Sequence, residues 1–144
     1  MTAPGEAGAR SVQRTDADSL ARLMLEAYRG TVDDSGETLD DARAEVAKTL
    51  DGGYGRFDFD ASEVIERGAE IVSCTMVTHY EGLPMIAFSL TLPEWRRQGL
   101  ARAGLRRTMN RLAQAGHQRV QLAVTSGNTP AERLYESLGF ADVL

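Results

Sequence analysis

The segment from Met85 to about Ala115 constrains the fold more than any other part of the chain. An apolar run, Met85-Ile86-Ala87-Phe88-Ser89-Leu90-Thr91-Leu92, leads through Arg96-Arg97-Gln98-Gly99 into a helical pattern that lasts to about Ala115. A strand that feeds a Gly-containing turn and then a helix gathers several unpaired backbone N–H groups at one point. Gly99 lets a ligand approach the backbone, because no Cβ stands in the way. The positive end of the helix dipole points to the same place, and Arg96, Arg97 and Arg102 add full charges. These features describe a site for a polyphosphate or pyrophosphate group.

The remaining elements follow from spacing and punctuation. Ser11 to Arg14 predicts a short strand, with Thr15 or Asp16 capping a helix whose apolar face is Leu20, Leu23, Met24, Ala27 and Tyr28. Thr38 to Leu50 predicts a second helix, broken by Gly52-Gly53-Tyr54-Gly55. Strands are expected at Ser62 to Glu66, Glu70 to Tyr80 and Met85 to Leu92, joined by hairpins. After the helix ending near Gly116 come a strand over Arg119 to Thr125 and a short helix over Thr129 to Leu138, with Pro130 in its first turn. Gly139 stops that helix, and a last strand is expected from Phe140. The order β-α-α-β-β-β-α-β-α-β predicts an α/β (α+β) chain with a mixed, mostly antiparallel central sheet flanked by helices. One domain is expected over 1–144, with residues 1–10 disordered.

Charge narrows the function classes. The 144-residue chain carries a net charge of −5, which argues against a nucleic-acid partner. The charge is unevenly spread. Asp33, Asp34, Glu37, Asp40, Asp41 and Glu45 crowd one region, and Arg96, Arg97, Arg102, Arg106, Arg107 and Arg111 another. Arg97 and Arg102, at the turn, read as ligand contacts; Arg106, Arg107 and Arg111 read as a solvated helix face. No apolar run approaches the roughly 20 residues of a membrane span, and the N-terminal residues lack a signal-peptide core. A cytoplasmic protein with no membrane partner is expected. Cys74 is the single cysteine, so no internal disulfide or thiolate metal site forms, and no metal is expected.

Three motifs in order resemble the GNAT superfamily of acyl-CoA-dependent N-acetyltransferases. They are Arg96-Arg97-Gln98-Gly99-Leu100-Ala101 after Pro93-Glu94-Trp95, Val124-Thr125-Ser126-Gly127-Asn128, and Ala131-Glu132-Arg133-Leu134-Tyr135-Glu136-Ser137-Leu138-Gly139-Phe140. The resemblance implies acetyl-CoA as co-substrate. Its pyrophosphate would lie on the backbone amides of Arg97, Gln98, Gly99, Leu100, Ala101 and Arg102. Its pantetheine arm would lie along Ser89, Leu90 and Thr91 as an added strand, with Asn128 reaching the arm. Tyr135 matches the family tyrosine near the thioester sulfur, a general acid for the departing thiolate; membership of a small core with Leu134, Leu138 and Phe140 is the competing reading. The implied activity is acetyl transfer to a primary amine of a small molecule or peptide by direct attack in a ternary complex. A second reading is an inactive acyl-CoA-binding sensor or interaction module. A homodimer is also open.

The attacking amine must be neutral, and an alkylamine at pH 7 is neutral only about one part in 10³ to 10⁴, a penalty of about 4–5 kcal/mol. The family positions that often supply a Glu base align with Met85 and Ala123, which take no proton. Three substitutes stay open: a water chain, His79, or a carboxylate from Asp33, Asp34 and Glu37. The resemblance implies that the segment from Thr31 to Glu37 borders the acceptor, which makes Asp33, Asp34 and Glu37 candidate substrate contacts; the equal alternative is a solvated loop whose acidic residues cap and charge-complement the start of the second helix. Tyr28, Tyr54 and Phe57 offer apolar walls for the acceptor pocket, with core packing the simpler reading. For His79 an exposed strand-end position is the simpler reading, and for His117 a loop position.

Overall fold

A computed structural model of the chain describes residues 8–123 and 127–141. Its elements are β1 (Ala9–Ser11), α1 (Ala17–Tyr28), α2 (Leu39–Leu50), β2 (Arg56–Phe57), β3 (Glu63–Arg67), β4 (Glu70–Tyr80), β5 (Leu83–Thr91), α3 (Leu100–Gln114), β6 (Gln121–Leu122) and α4 (Thr129–Ser137). The sheet runs β1-β3-β4-β5-β6, with β2 also paired to β4. Every pairing is antiparallel except the parallel one between β5 and β6. The mixed, mostly antiparallel sheet flanked by helices is therefore as expected.

Alternating side chains divide the interior in two. Val64, Val72, Cys74, Met76 and Leu90 pack with α1 and α2 on one face. Val77 and Ile86 pack with Leu105 and Leu112 of α3, and Leu134, Tyr135 and Leu138 of α4 lie against them. Cys74 is buried among apolar neighbours, and that desolvation pushes its thiol up to about 12.

Several boundaries differ from the sequence reading. The first strand lies at Ala9–Ser11, so it shares only Ser11 with the expected strand and takes in the end of the segment expected to be disordered; residues 1–7 lie outside the described residues. The Asp16 carboxylate accepts from Gln13 N at 2.8 Å, and from Arg10 Nη1 and Nη2 at 2.9 and 2.8 Å. These bonds fold Arg14–Asp16 into a turn, so Asp16 makes no cap bond to α1. Burial penalises this carboxylate, yet Arg10 and the Gln13 amide hold it below its ordinary range. β2 was not expected, because a two-residue strand leaves no periodic trace. The strand expected over Arg119 to Thr125 pairs only at Gln121 and Leu122, and its Val124 and Thr125 lie outside the described residues. No strand starts at Phe140. Its N–H instead donates to Tyr135 O at 3.0 Å, while Gly139 N, at φ +97°, donates to Glu136 O at 3.0 Å. This wrap closes α4. The remainder of that expected strand, residues 142–144, lies outside the described residues.

A polar row crosses the α3 face of the sheet. Glu63 pairs with Thr75, and Thr75 with Ser89. Glu63 is 1% exposed and accepts two bonds from Arg107, at 2.8 and 2.5 Å, and one from Arg111 at 3.1 Å. Arg107 and Arg111 are therefore not simply a solvated face. A buried carboxylate requires such partners, and the arginine stems lie along the sheet to reach it. Gly104 permits the close approach, because a Cβ there would stand 2.9 Å from Thr75 Oγ1 and 3.4 Å from Glu63 Oε1. Glu63→Ala is expected to destabilise the fold by about 3 kcal/mol, and Gly104→Ala by about 1–3 kcal/mol. Urea midpoints measure both, and unchanged midpoints would show that this contact does not hold α3 in place.

Candidate active site

The site starts from an irregularity in β5. Met76 pairs with Phe88 but the next β4 residue, Val77, pairs with Ile86, so Ala87 is an extra residue. Such a bulge reverses the side-chain alternation. Ile86 faces α3, whereas Phe88 packs toward α1 and α2. Ser89 consequently faces α4 and lines a cleft together with Tyr135. β6 pairs with β5 at Met85 and Ile86 only. Among the described residues, the β6-facing edge of β5 beyond Ile86 has no strand partner.

A cleft of 130 Å³ lies along that edge and brings together Tyr28, Asp33, Phe88, Ser89, Asn128 and Tyr135. Tyr135 is half-buried, and its ring also packs edge-on against Phe140 at 6.1 Å. Tyr135 thus belongs to the small core that the sequence suggested and also lines the cleft. Desolvation raises its pKa and Asp33 adds to the rise, while Ser89 opposes it. Asn128 lines the cleft and also caps α4, with Oδ1 accepting from Ala131 N at 3.4 Å. Leu90 and Thr91 continue β5, the Leu90 side chain in the core and Thr91 Oγ1 3.0 Å from Ser73 Oγ.

At the end of β5 the chain turns through Pro93–Trp95 into the arginine-rich loop. Arg97, Gln98 and Gly99 are exposed; Leu100 is buried, and Ala101 and Arg102 are half-buried in the first turn of α3. Gly99 sits at φ +79° as the residue before α3, and its side offers no cap to the helix. The amides of Leu100, Ala101 and Arg102 therefore have no carbonyl within the helix. Nothing lies within 4 Å of where a Gly99 Cβ would project, so the approach is open. Arg97 adopts φ 65°, a left-handed conformation that costs a non-glycine residue about 1–2 kcal/mol. Arg96, expected to add charge here, instead donates from Nη2 to Ala27 O at 2.7 Å. It ties the loop to the end of α1.

The connection between α1 and α2 forms the opposite wall. Asp34 accepts from Gly30 N at 2.8 Å and Gly36 N at 2.9 Å, which keeps its carboxyl below the usual range. Glu37 accepts from Ser35 N at 3.0 Å. A second cleft, of 330 Å³, is lined by Asp33, Asp34, Glu37, Asp41 and Glu45, with Arg29 among its lining residues. Tyr28, Asp33 and Phe88 border both clefts. Tyr28, read as core, packs there and lines the site as well; burial first, and Asp33 second, raise its pKa. Phe57 is core, and Tyr54 lies exposed outside both clefts.

Two expectations about bases need correction. His79 is buried rather than exposed, and its Nε2 donates to Asp58 Oδ2 at 2.7 Å, with the His117 ring centroid 5.1 Å away. His79 lines neither cleft, because β2 and the Asp58 turn cover that end of β4. The sequence reading also missed Asp41, Glu45 and Phe88 as lining residues. Glu37, Asp41 and Glu45 repeat every fourth residue, a spacing that marks one helix face. Phe88 depends on the bulge and had no such signal. Among the described residues, no cluster of three His, Cys, Asp or Glu side chains is arranged to hold a metal ion.

The acetyltransferase (GNAT) family model matches residues 18–140. The fold is similar to ribosomal-protein-S18-alanine N-acetyltransferase from Escherichia coli, with a TM-score of 0.76 and 20% identity over 94% of this chain and 78% of that one. It is similar to an aminoglycoside N-acetyltransferase in complex with CoA, with a TM-score of 0.70 and 14% identity over 94% and 88% of the two chains. A GNAT family acetyltransferase from Brucella melitensis in complex with acetyl-CoA gives a TM-score of 0.69 and 16% identity, over 93% of this chain and 82% of that one. No curated protein matches the sequence.

The open approach at Gly99 yields a direct test. Gly99→Glu adds backbone strain and a negative charge at the first-turn amides, and is expected to weaken CoA binding at least about tenfold, or 1.4 kcal/mol. Calorimetry with CoA measures it, and unchanged affinity would exclude the loop as the diphosphate site.

Proposed function

The chain belongs to the GNAT acetyltransferase family, and on that footing we propose that it transfers an acetyl group from acetyl-CoA to a primary amine of a small molecule or peptide, by direct attack in a ternary complex. The observation that carries this reading is the placing of Tyr135 with Ser89 in one cleft, along an edge of β5 that has no strand partner among the described residues. The pantetheine arm fits that edge as an added strand along Ser89, Leu90 and Thr91. The amides from Arg97 to Arg102 and the Arg97 and Arg102 side chains receive the diphosphate. Asn128, from the opposite rim, contacts the arm.

Tyr135 acts as general acid for the departing thiolate. A thiol with a pKa of about 8.5 is already an acceptable leaving group, so the help required is modest. Burial favours the neutral phenol, which is the form that donates. Cys74 is closed to an acyl-enzyme route, since the thiol is buried and weakly acidic. The acidic lining of the larger cleft, with Asp33, Asp34 and Glu37 on its loop wall, supports a cationic acceptor. The neighbouring folds named for alanine and aminoglycoside N-acetylation also use amine acceptors.

A thiol-release assay with acetyl-CoA and a panel of polyamines, amino acids, aminoglycosides and N-terminal peptides tests the reading. Release with at least one amine is expected. CoA binding without release for any of them would favour an acyl-CoA-binding module instead. Tyr135→Phe is expected to lower kcat by about 10²–10⁴-fold with CoA affinity retained. Because the Tyr135 pKa is raised above its ordinary 10.0, its deprotonation should cause no loss of kcat below that pH.

A further inference from the structure

We propose that Asp33 is the proton acceptor of the reaction, bonded to the attacking nitrogen and taking its proton as the C–N bond forms. The inference rests on the acetyl-transfer reading and adds the base that Met85 and Ala123 do not supply. Its ground is position. The attacking nitrogen must lie where the acceptor cleft opens into the cleft holding Ser89 and Tyr135, and Asp33 is the acidic residue that lines both. Asp34, Glu37, Asp41 and Glu45 line only the larger one.

The loop holds Asp33 in a fixed place. Asp33 N donates to Thr31 Oγ1 at 3.2 Å, and Thr31 Oγ1 donates to Tyr28 O at 2.8 Å. Asp34 N donates to Thr31 O at 3.1 Å on the other side. Asp33 is half-buried, whereas Asp34 and Glu37 are exposed. These bonds fix the backbone from which the Asp33 side chain projects, and a base is most effective on such a braced segment. The ionisable groups around it are Tyr28 and Arg29 at the end of α1, Asp34 and Glu37 on its own loop, Asp41 and Glu45 on α2, and Tyr135 on α4. β5 contributes Phe88 and Ser89, neither ionisable.

The step balances without another reactant. The neutral amine, formed by loss of a proton to solvent, attacks the thioester carbonyl carbon. The C–N bond forms, and the nitrogen gives one proton to the Asp33 carboxylate. The C–S bond breaks, and sulfur takes a proton from Tyr135. The proton on Asp33 then returns to the Tyr135 phenolate, directly or through water, and both groups are reset. The raised pKa values of Tyr28 and Tyr135, each partly due to Asp33, are consistent with this proximity.

The test is Asp33→Ala assayed with added formate, a small carboxylate able to enter the space left by the side chain. The variant is expected to lose about 10²–10⁴-fold in kcat with an alkylamine acceptor, to bind CoA within about twofold of the parent by calorimetry, and to regain at least about tenfold with saturable dependence on formate. Formate should not accelerate the parent protein. Activity of Asp33→Ala within about threefold of the parent overturns the proposal. So does a loss that formate does not restore, since a packing defect would behave that way. Absence of transfer by the parent protein with every amine would instead remove the acetyl-transfer reading on which the proposal stands.

Discussion

One extra residue in β5 sets the geometry on which the site depends. Were Ala87 part of a regular alternation, Ile86, Phe88 and Leu90 would share one face of the sheet and Ser89 would turn toward α1 and α2. The bulge instead sends Ile86 to α3 and Phe88 to the opposite face, where it walls both clefts. It also gives Ser89 to Tyr135. Just past the bulge, β6 no longer pairs with β5. A backbone edge with exposed hydrogen-bonding groups is a hazard in most sheets. Here it is the surface on which an amide-bearing arm would be recognised.

The bulge alone would not place a helix N-terminus at the end of the same strand. α3 must lie close to the sheet, and the polar row of Glu63, Thr75 and Ser89 shows how that is arranged. Gly104 admits the sheet at van der Waals distance, and Arg107 and Arg111 close over the Glu63 carboxylate. A buried acid is poor evidence of stabilisation by itself, because desolvation offsets much of the attraction. It is better evidence of register: a slide of α3 by one turn would strand the charge. At the start of α3, Arg96 reaches the last turn of α1. That contact couples the diphosphate loop to the wall carrying Tyr28 and Asp33, so the two ends of the site are built on one mechanical frame.

What could be read from the sequence was local. Gly99 at the start of a helix, helical spacing in 17–28 and 39–50, and Pro130 after Asn128 are features of short segments, and the described structure has them as expected. The errors lie where partners are far apart in the chain. Arg107 and Arg111 have the spacing of an exposed face, and only the arrival of Glu63, 44 and 48 residues away, changes their environment. His79 sits near a strand end and becomes buried through Asp58. The first strand slipped toward the N-terminus because Arg10 serves both Asp16 and Glu66. The acidic wall was visible as composition, but the division between Asp33 at the junction of the clefts and Asp34 bracing the loop required the turn itself.

The unequal charge of the two walls also bears on how a ternary complex assembles. At about 0.1 M ionic strength exposed charges act over roughly 10 Å, so the net charge of −5 matters less to a ligand than the patch it approaches. In the proposed binding mode a diphosphate would meet Arg97, Arg102 and the α3 amides, and the carboxylates around the larger cleft would discourage it from entering the acceptor side. A cationic amine would meet the reverse. Each ligand is thus favoured in one wall and disfavoured in the other, which separates the binding sites by sign before any specific contact forms. The half-buried position common to both, between Tyr28, Phe88, Asp33 and Tyr135, is where that separation ends and the reacting atoms must meet.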